Sequence, residues 1–236
     1  YNAPNDNTGL TVIDEYHRIA SDDTADVIST SWGVCELGAN PAAIYPRSVA
    51  ESVAFYQIAA QGQSMFASNG DQGYADCATD PNAIPSAQDY GVDDPANQPY
   101  VTAIGGTSWG TFNPKTTPNP GYPTGHEIVW NPFGVCKDDV QDFKKCILYG
   151  TTGSGSSAIW GAPTYQHGPN VFVSIYSTSY PMCSINQHGA PLKSGDYCRQ
   201  VTDVSANADE FTPYAAYCAG NAATNSTCAT FASSQK

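Results

Sequence analysis

Two short stretches hold residue types from which chemistry could be built. Ser68-Asn69-Gly70-Asp71-Gln72-Gly73 is a Gly-Asp-x-Gly turn behind one apolar run, and Ser31-Trp32-Gly33-Val34-Cys35-Glu36 closes another. Glycines beside an aspartate let the backbone bend sharply and aim the carboxyl into a cleft, because a residue without Cβ reaches dihedrals closed to the others. The same turn suits an aspartate that merely caps a loop. Other constellations are poorer. His17, His126, His167 and His188 lack the flanking patterns of a Ser-His-Asp triad and read as surface or loop residues. Residues 150–157 are glycine-rich, yet no Lys follows and no clear helix opens there, as a phosphate-cradling loop requires. Asp22 and Asp26 have the i,i+4 spacing that places two carboxylates on one helix face, but they run from a helix end into a strand start and read as solvated surface.

The eight cysteines are Cys35, Cys77, Cys136, Cys146, Cys183, Cys198, Cys218 and Cys228. The last six form three local pairs across loops that close easily, which predicts Cys136–Cys146, Cys183–Cys198 and Cys218–Cys228 and leaves Cys35–Cys77 as a long-range staple. No pair has the close spacing of zinc ligands, so disulfides and an oxidising, extracellular compartment are expected, with no metal held by these residues. One sequon, Asn225-Ser226-Thr227, permits glycosylation.

The elements that must position these residues follow from periodicity. Residues 8–21 predict a helix with Val12, Ile13, Tyr16, Ile19 and Ala20 on one stripe behind an Asn7/Thr8 cap. Residues 26–33 predict a buried strand. Residues 46–60 predict a second helix, with Pro46 in its first turn, a stripe of Val49, Val53, Tyr56 and Ala60, and Gly62 ending it. Residues 63–70 and 100–109 predict further strands, and shorter strand-like pieces fall near 127–130 and 200–206. Helix and strand in alternation, with continuous apolar strands, is the pattern of a parallel sheet covered by helices on both faces. In such sheets ligands collect beyond the carboxyl ends of the strands, where residues 31–36 and 68–73 both lie.

The chain has 236 residues and a net charge of −13, from 9 Lys and Arg against 22 Asp and Glu. That argues against nucleic acid as a partner, whose affinity comes mostly from clustered cations. No apolar run reaches the roughly 18 to 20 residues of a membrane span. Tyr1 stands where an initiator Met or a leader is expected, which suggests a processed chain or part of a longer one. With all carboxylates protonated, nine Lys and Arg and four His leave at most 13 positive charges, a mild self-repulsion, so acid need not unfold it.

The order of segments resembles the sedolisins, serine-carboxyl peptidases of subtilisin-like fold. The matching pieces are VISTSWGVCE (27–36), ASNGDQGYADC (67–77), DPANQPYVTAIGGTSW (94–109), EIVWN (127–131), SGSSAIWGAPTYQ (154–166) and RQVTDVSANAD (199–209). Each is weak alone, but six in the family's order span most of the chain. The resemblance implies one partial peptidase domain over residues 1–236, with disulfide-stapled irregular loops in its C-terminal half. It implies that Ser31 and Gly33 hydrogen-bond an extended peptide substrate, that Trp32 joins the network behind the catalytic carboxylates, and that Asp71 is the oxyanion-hole aspartate. Gln72 and Asn97 fall where residues shaping the substrate side-chain pocket would lie. Such an aspartate must be protonated to donate, which favours acid, since the unperturbed Asp pKa is about 3.9.

Three departures stand beside the match. The family's nucleophile lies in a Gly-Thr-Ser segment downstream of DVSANAD, its activating Glu and Asp on a helix upstream of Tyr1, and its calcium loop beyond the nucleophile; none is present here. Ser108, in Gly106-Thr107-Ser108, matches a non-catalytic strand instead, and Ser156 replaces one of the usual glycines. The expectation is a segment of a secreted, acid-active endopeptidase, inactive alone and completed by other chains of its precursor. The alternative is a non-catalytic extracellular structural or binding protein built on the peptidase fold.

Overall fold

The computed structural model describes residues 1–2, 4, 10–37, 41–74, 76–77, 91–109, 127–131, 150–169 and 183–209, with backbone only at 41–46. In chain order the elements are α1 (Leu10–Asp22), β1 (Val27–Thr30), β2 (Val34–Cys35), α2 (Pro41–Ala60), β3 (Ser64–Ser68), β4 (Asp93–Asp94), β5 (Thr102–Ser108), β6 (Ile128–Val129), β7 (Gly155–Gly161), β8 (Cys198–Val201) and β9 (Val204–Asn207). The main sheet runs β1-β3-β5, with β9 also parallel to β5 and β6 antiparallel to it.

Helix α1 buries Val12, Ile13, Tyr16, Ile19 and Ala20, the stripe its spacing predicts; the proposed cap at Asn7/Thr8 lies outside the described residues. Helix α2 starts at Pro41, earlier than expected, and turns a different face inward. Glu51, Ala54, Phe55 and Ile58 are buried, whereas Val53 and Tyr56 are 58% and 55% exposed. Apolar residues occur all round this helix, so periodicity does not select a face. Packing does: the Phe55 ring meets Tyr16 of α1 at 4.9 Å between centroids. Gly62, at φ +85°, ends the helix in the left-handed conformation that glycine adopts freely, with Gly62 N bonded to the Ala59 carbonyl.

The core joins both helices to one face of the sheet, through Ile28, Met65, Ala67 and Ala103. Among the described residues no helix covers the other face. Strand β1 is shorter and less buried than the sequence suggests: only Ile28 is buried, and Val27 is 65% exposed, because among the described residues β1 pairs with β3 alone and forms the sheet edge. The single piece expected at 200–206 is two strands. β8 pairs with β7, and the chain then breaks at Thr202 and Asp203 to enter the main sheet as β9. Disulfides Cys35–Cys77 and Cys183–Cys198 are formed as expected, while Cys136–Cys146 and Cys218–Cys228 lie outside the described residues. No described helix is long and apolar enough to cross a membrane.

Candidate active site

Because β1 and β3 are parallel neighbours with Thr30 opposite Ala67, Ser31, Trp32 and Gly33 leave the sheet at the same end as the Asp71 turn. The Thr30 hydroxyl accepts the Trp32 N–H at 3.1 Å and steers the chain out of β1. It then enters β2, which pairs antiparallel with β4, Cys35 opposite Asp93. A Cβ on Gly33 would stand 2.8 Å from Asp93 Oδ2, so a larger residue there would require the Asp93 carboxyl to shift. On the neighbouring turn, Gly70 has φ +92° and its open side is filled by the Asp76 carboxyl.

Three carboxyls gather at this rim. Asp71 is exposed, and its carbonyl accepts the Thr151 N–H at 2.8 Å. What desolvation it does undergo lifts its carboxyl above the usual Asp value. Asp76, whose Oδ1 accepts the Gln72 N–H at 2.9 Å, is pushed up to about 8 by burial and then by the charge of Asp93. Asp93 is pushed up to about 6 by burial, then by Asp71 and Asp94. Protonated carboxyls here persist well above the ordinary range.

Behind the rim lies Glu36, 1% exposed. Its Oε2 accepts Ser157 Oγ–H at 2.6 Å and Asn97 Nδ2–H at 2.9 Å, and its Oε1 accepts the N–H groups of Ala158 at 2.8 Å and Val92 at 3.4 Å. Burial dominates and raises the carboxyl to about 7, although all four donors oppose it. Glu36 thereby ties the residue after β2 to the residue before β4, to the turn after β4 and to β7. Asn97 is fully buried, with its Nδ2–H given to Glu36.

The structure thus brings Ser31, Trp32 and Gly33 to the same sheet end as Asp71 and Gln72, and buries Asn97 against Glu36. Ser108 is buried within β5 opposite Ile128. Elsewhere, His188 Nδ1 lies 3.3 Å from the Tyr100 hydroxyl and His167 packs on Tyr197, while His126 lies outside the described residues. Sequence reasoning passed over Glu36, Asp76, Asp93, Asp94 and the α2 pair Arg47 and Glu51. The signals were slight: a lone Glu in an apolar stretch, an Asp-Asp step, and an i,i+4 Arg/Glu spacing on a helix face that proves to be buried.

No protein-family model matches the chain. It is 37% identical over 125 residues to sedolisin of Pseudomonas sp. (strain 101), covering 53% of this chain and 19% of that protein. Kumamolisin of Bacillus sp. (strain MN-32) is 31% identical over 222 residues, covering 91% and 30%, and xanthomonalisin of Xanthomonas sp. (strain T-22) is 27% identical over 210 residues, covering 78% and 24%. The solved structure of Pseudomonas sedolisin, a serine-carboxyl proteinase complexed with two molecules of pseudo-iodotyrostatin, superposes with a TM-score of 0.56 at 27% identity, over 86% of this chain and 44% of that one. The chain belongs to the sedolisin family. Its parallel sheet and helices are those of the subtilisin-like sedolisin fold, and it spans between 19% and 30% of the length of these curated relatives. Within that sedolisin frame, the rim carboxyls and the Ser31-Trp32-Gly33 segment share one sheet end.

Proposed function

We propose that this chain is the central, cleft-bearing part of a secreted, acid-active serine-carboxyl endopeptidase that hydrolyses peptide bonds in protein substrates. The observation that carries this reading is the meeting of the Asp71 turn with Ser31, Trp32 and Gly33 at one end of the sheet. A peptide laid along Ser31 and Gly33 would exchange backbone hydrogen bonds with them, as in strand addition, and bring a carbonyl past Asp71. Attack on that carbonyl leaves negative charge on its oxygen, which a donor already aimed there stabilises. A carboxyl donates only when protonated, and desolvation extends the protonated range of Asp71 upward. Gln72, exposed beside it, would border the substrate side chain, and Asn97 would fix that border through Glu36.

In this reading the attacking serine and its activating Glu and Asp come from complementary segments of the same precursor, which cover the open β1 edge. Ser108, inside β5, is not that serine. The calcium implied by the family belongs to those segments too. Among the described residues no group of acidic, His or Cys side chains is arranged to hold it, and no step here uses it. The two disulfides support an extracellular setting.

The test is turnover of unfolded protein by the intact protein at about pH 3 to 4, near the unperturbed Asp pKa. Asp71→Ala should lower kcat by about a hundredfold to a thousandfold, the usual loss of one oxyanion donor. Asp71→Asn keeps a donor that does not titrate, so it should retain activity and lose the fall in rate that follows Asp71 ionisation. An Asp71→Ala variant as fast as the parent refutes the reading. The 236-residue chain alone should hydrolyse nothing; turnover that Ser108→Ala abolishes would make Ser108 the nucleophile after all.

A further inference from the structure

Trp32 is held at two points. Its backbone N–H is fixed by the Thr30 hydroxyl, which also lies 3.5 Å from the Tyr16 hydroxyl of α1. Its ring is faced by Arg47 of α2, whose guanidinium carbon stands 5.8 Å from the ring centroid. A guanidinium over an indole face is attracted by the ring quadrupole, and more so when partly dry. The Arg47 side chain is 12% exposed and lies against two carboxyls that are fully buried: Nη2 is 3.4 Å from Asp94 Oδ2, and Nε is 3.6 Å from Glu51 Oε1.

The two carboxyls are not equivalent. Asp94 accepts Gln98 Nε2–H at 2.8 Å and Ser48 Oγ–H at 3.3 Å. Glu51 has no such donor at either oxygen, and it faces Asp94. Burial, and then the adjacent Asp94 charge, push Glu51 far above the carboxylate range. Neighbouring buried carboxyls cannot both ionise cheaply, so Glu51 keeps its proton and the pair carries one negative charge, matched by the one positive charge of Arg47. The other titratable groups nearby are Tyr16 and Glu15 on α1 and Asp93 on β4.

We propose that Arg47 is a positioning residue of the cleft, clamping the Trp32 indole and so the segment of Ser31, Trp32 and Gly33 between β1 and β2, while the Glu51–Asp94 carboxyl pair holds the clamp in register. The proposal rests on the reading of that segment as the one that carries the substrate. Ionising both carboxyls sets two anions in contact against a single cation. They separate, and the guanidinium that spans them leaves the ring face.

The indole N–H resonance of Trp32 in the intact protein, assigned by its loss in Trp32→Phe, reads the clamp without relying on activity. Arg47→Met should shift that resonance and raise KM for a peptide substrate about tenfold, within the range of a partly desolvated cation–π contact, with kcat much less affected. Arg47→Lys, which keeps the charge but not the planar fork, should recover only part of both. Glu51→Gln should leave the resonance where it is in acid and remove its movement as pH rises. An unmoved resonance in both Arg47 variants, or a pH dependence that survives Glu51→Gln, overturns the clamp. A resonance that moves while KM stays constant upholds the clamp and overturns the assignment of the substrate segment. Should Arg47→Met fail to fold, Arg47→Lys and Glu51→Gln still decide the matter.

Discussion

Glu36 and Asp203 are both carboxylates withdrawn from water, yet the fold neutralises them in opposite ways. Asp203, in the break between β8 and β9, accepts Arg199 Nη1–H at 3.0 Å, Ala103 N–H at 2.8 Å and Gln166 Nε2–H at 3.0 Å. Desolvation alone would raise it, but the Arg199 hydrogen bonds and charge outweigh burial and hold it below the usual Asp value. Glu36 receives four hydrogen bonds, all from neutral donors, and ends at about 7. The break between β8 and β9 is settled by charge, and the cleft by protons. Asp76 and Asp93 at the rim follow Glu36.

The two regions therefore respond to pH with opposite sign. A carboxyl raised on folding stabilises fully below its unfolded value, and that contribution is lost as pH climbs through the folded one; a lowered carboxyl stabilises above its unfolded value and loses that contribution as pH falls. Glu36, Asp93 and Asp76 make the cleft end most stable in acid and loosen it between about pH 4, near their unfolded values, and their folded values of about 7, 6 and 8. Asp203 loosens the break between β8 and β9 only below about pH 4.

The largest effect should come from breaking the charged side of this contrast. Arg199 is fully buried and also donates to the carbonyls of Ala96 at 3.2 Å and Val101 at 3.0 Å, so Arg199→Met strands both Asp203 and the turn bearing Asn97. A loss of about 3 to 5 kcal/mol is expected in urea unfolding. A loss under about 1 kcal/mol, the scale of an exposed pair, would remove the distinction between the two regions. Glu36→Gln tests the protonic side. Unfolding free energy of the parent, followed from about pH 4 to 8, should fall, with Glu36 contributing on the order of 3 kcal/mol by its shift; the variant should show a correspondingly flatter profile. An unchanged slope would mean that Glu36 does not titrate in this window. The smallest effect is that of Ser157→Ala, which deletes the 2.6 Å donor to Glu36. It should cost about 1 kcal/mol and move the Glu36 transition to higher pH, as seen in the carboxyl infrared band.

How far the sequence revealed this depends on whether the deciding force was local. The α1 stripe was legible because its polar and apolar faces are distinct, and the shared end of residues 31–33 and 70–73 followed from parallel strand order. The inward face of α2 was not, because Val53 and Phe55 are equally apolar and only contact with Tyr16 chooses between them. Nothing in DVISTSWG marks β1 as an edge strand; that depends on which strands lie beside it. Asp71 was legible from its flanking glycines. Glu36 was not, because its four donors come from residues 92, 97, 157 and 158, far along the chain. Local cysteine pairing gave Cys183–Cys198 directly and Cys35–Cys77 by elimination.

The Cys35–Cys77 bond has a consequence for chain scission. Its partners are 42 residues apart and enclose α2, β3 and the Asp71 turn within one covalent ring. Any single cut in that ring opens it without dividing it, and the fragments stay joined through sulfur. A protease that nicks the segment between β2 and α2 leaves Gly33 and Asp71 on one covalent molecule, which migrates as two pieces only after reduction. A single cut between Cys35 and Cys77 therefore cannot part the Ser31–Gly33 segment from the Asp71 turn.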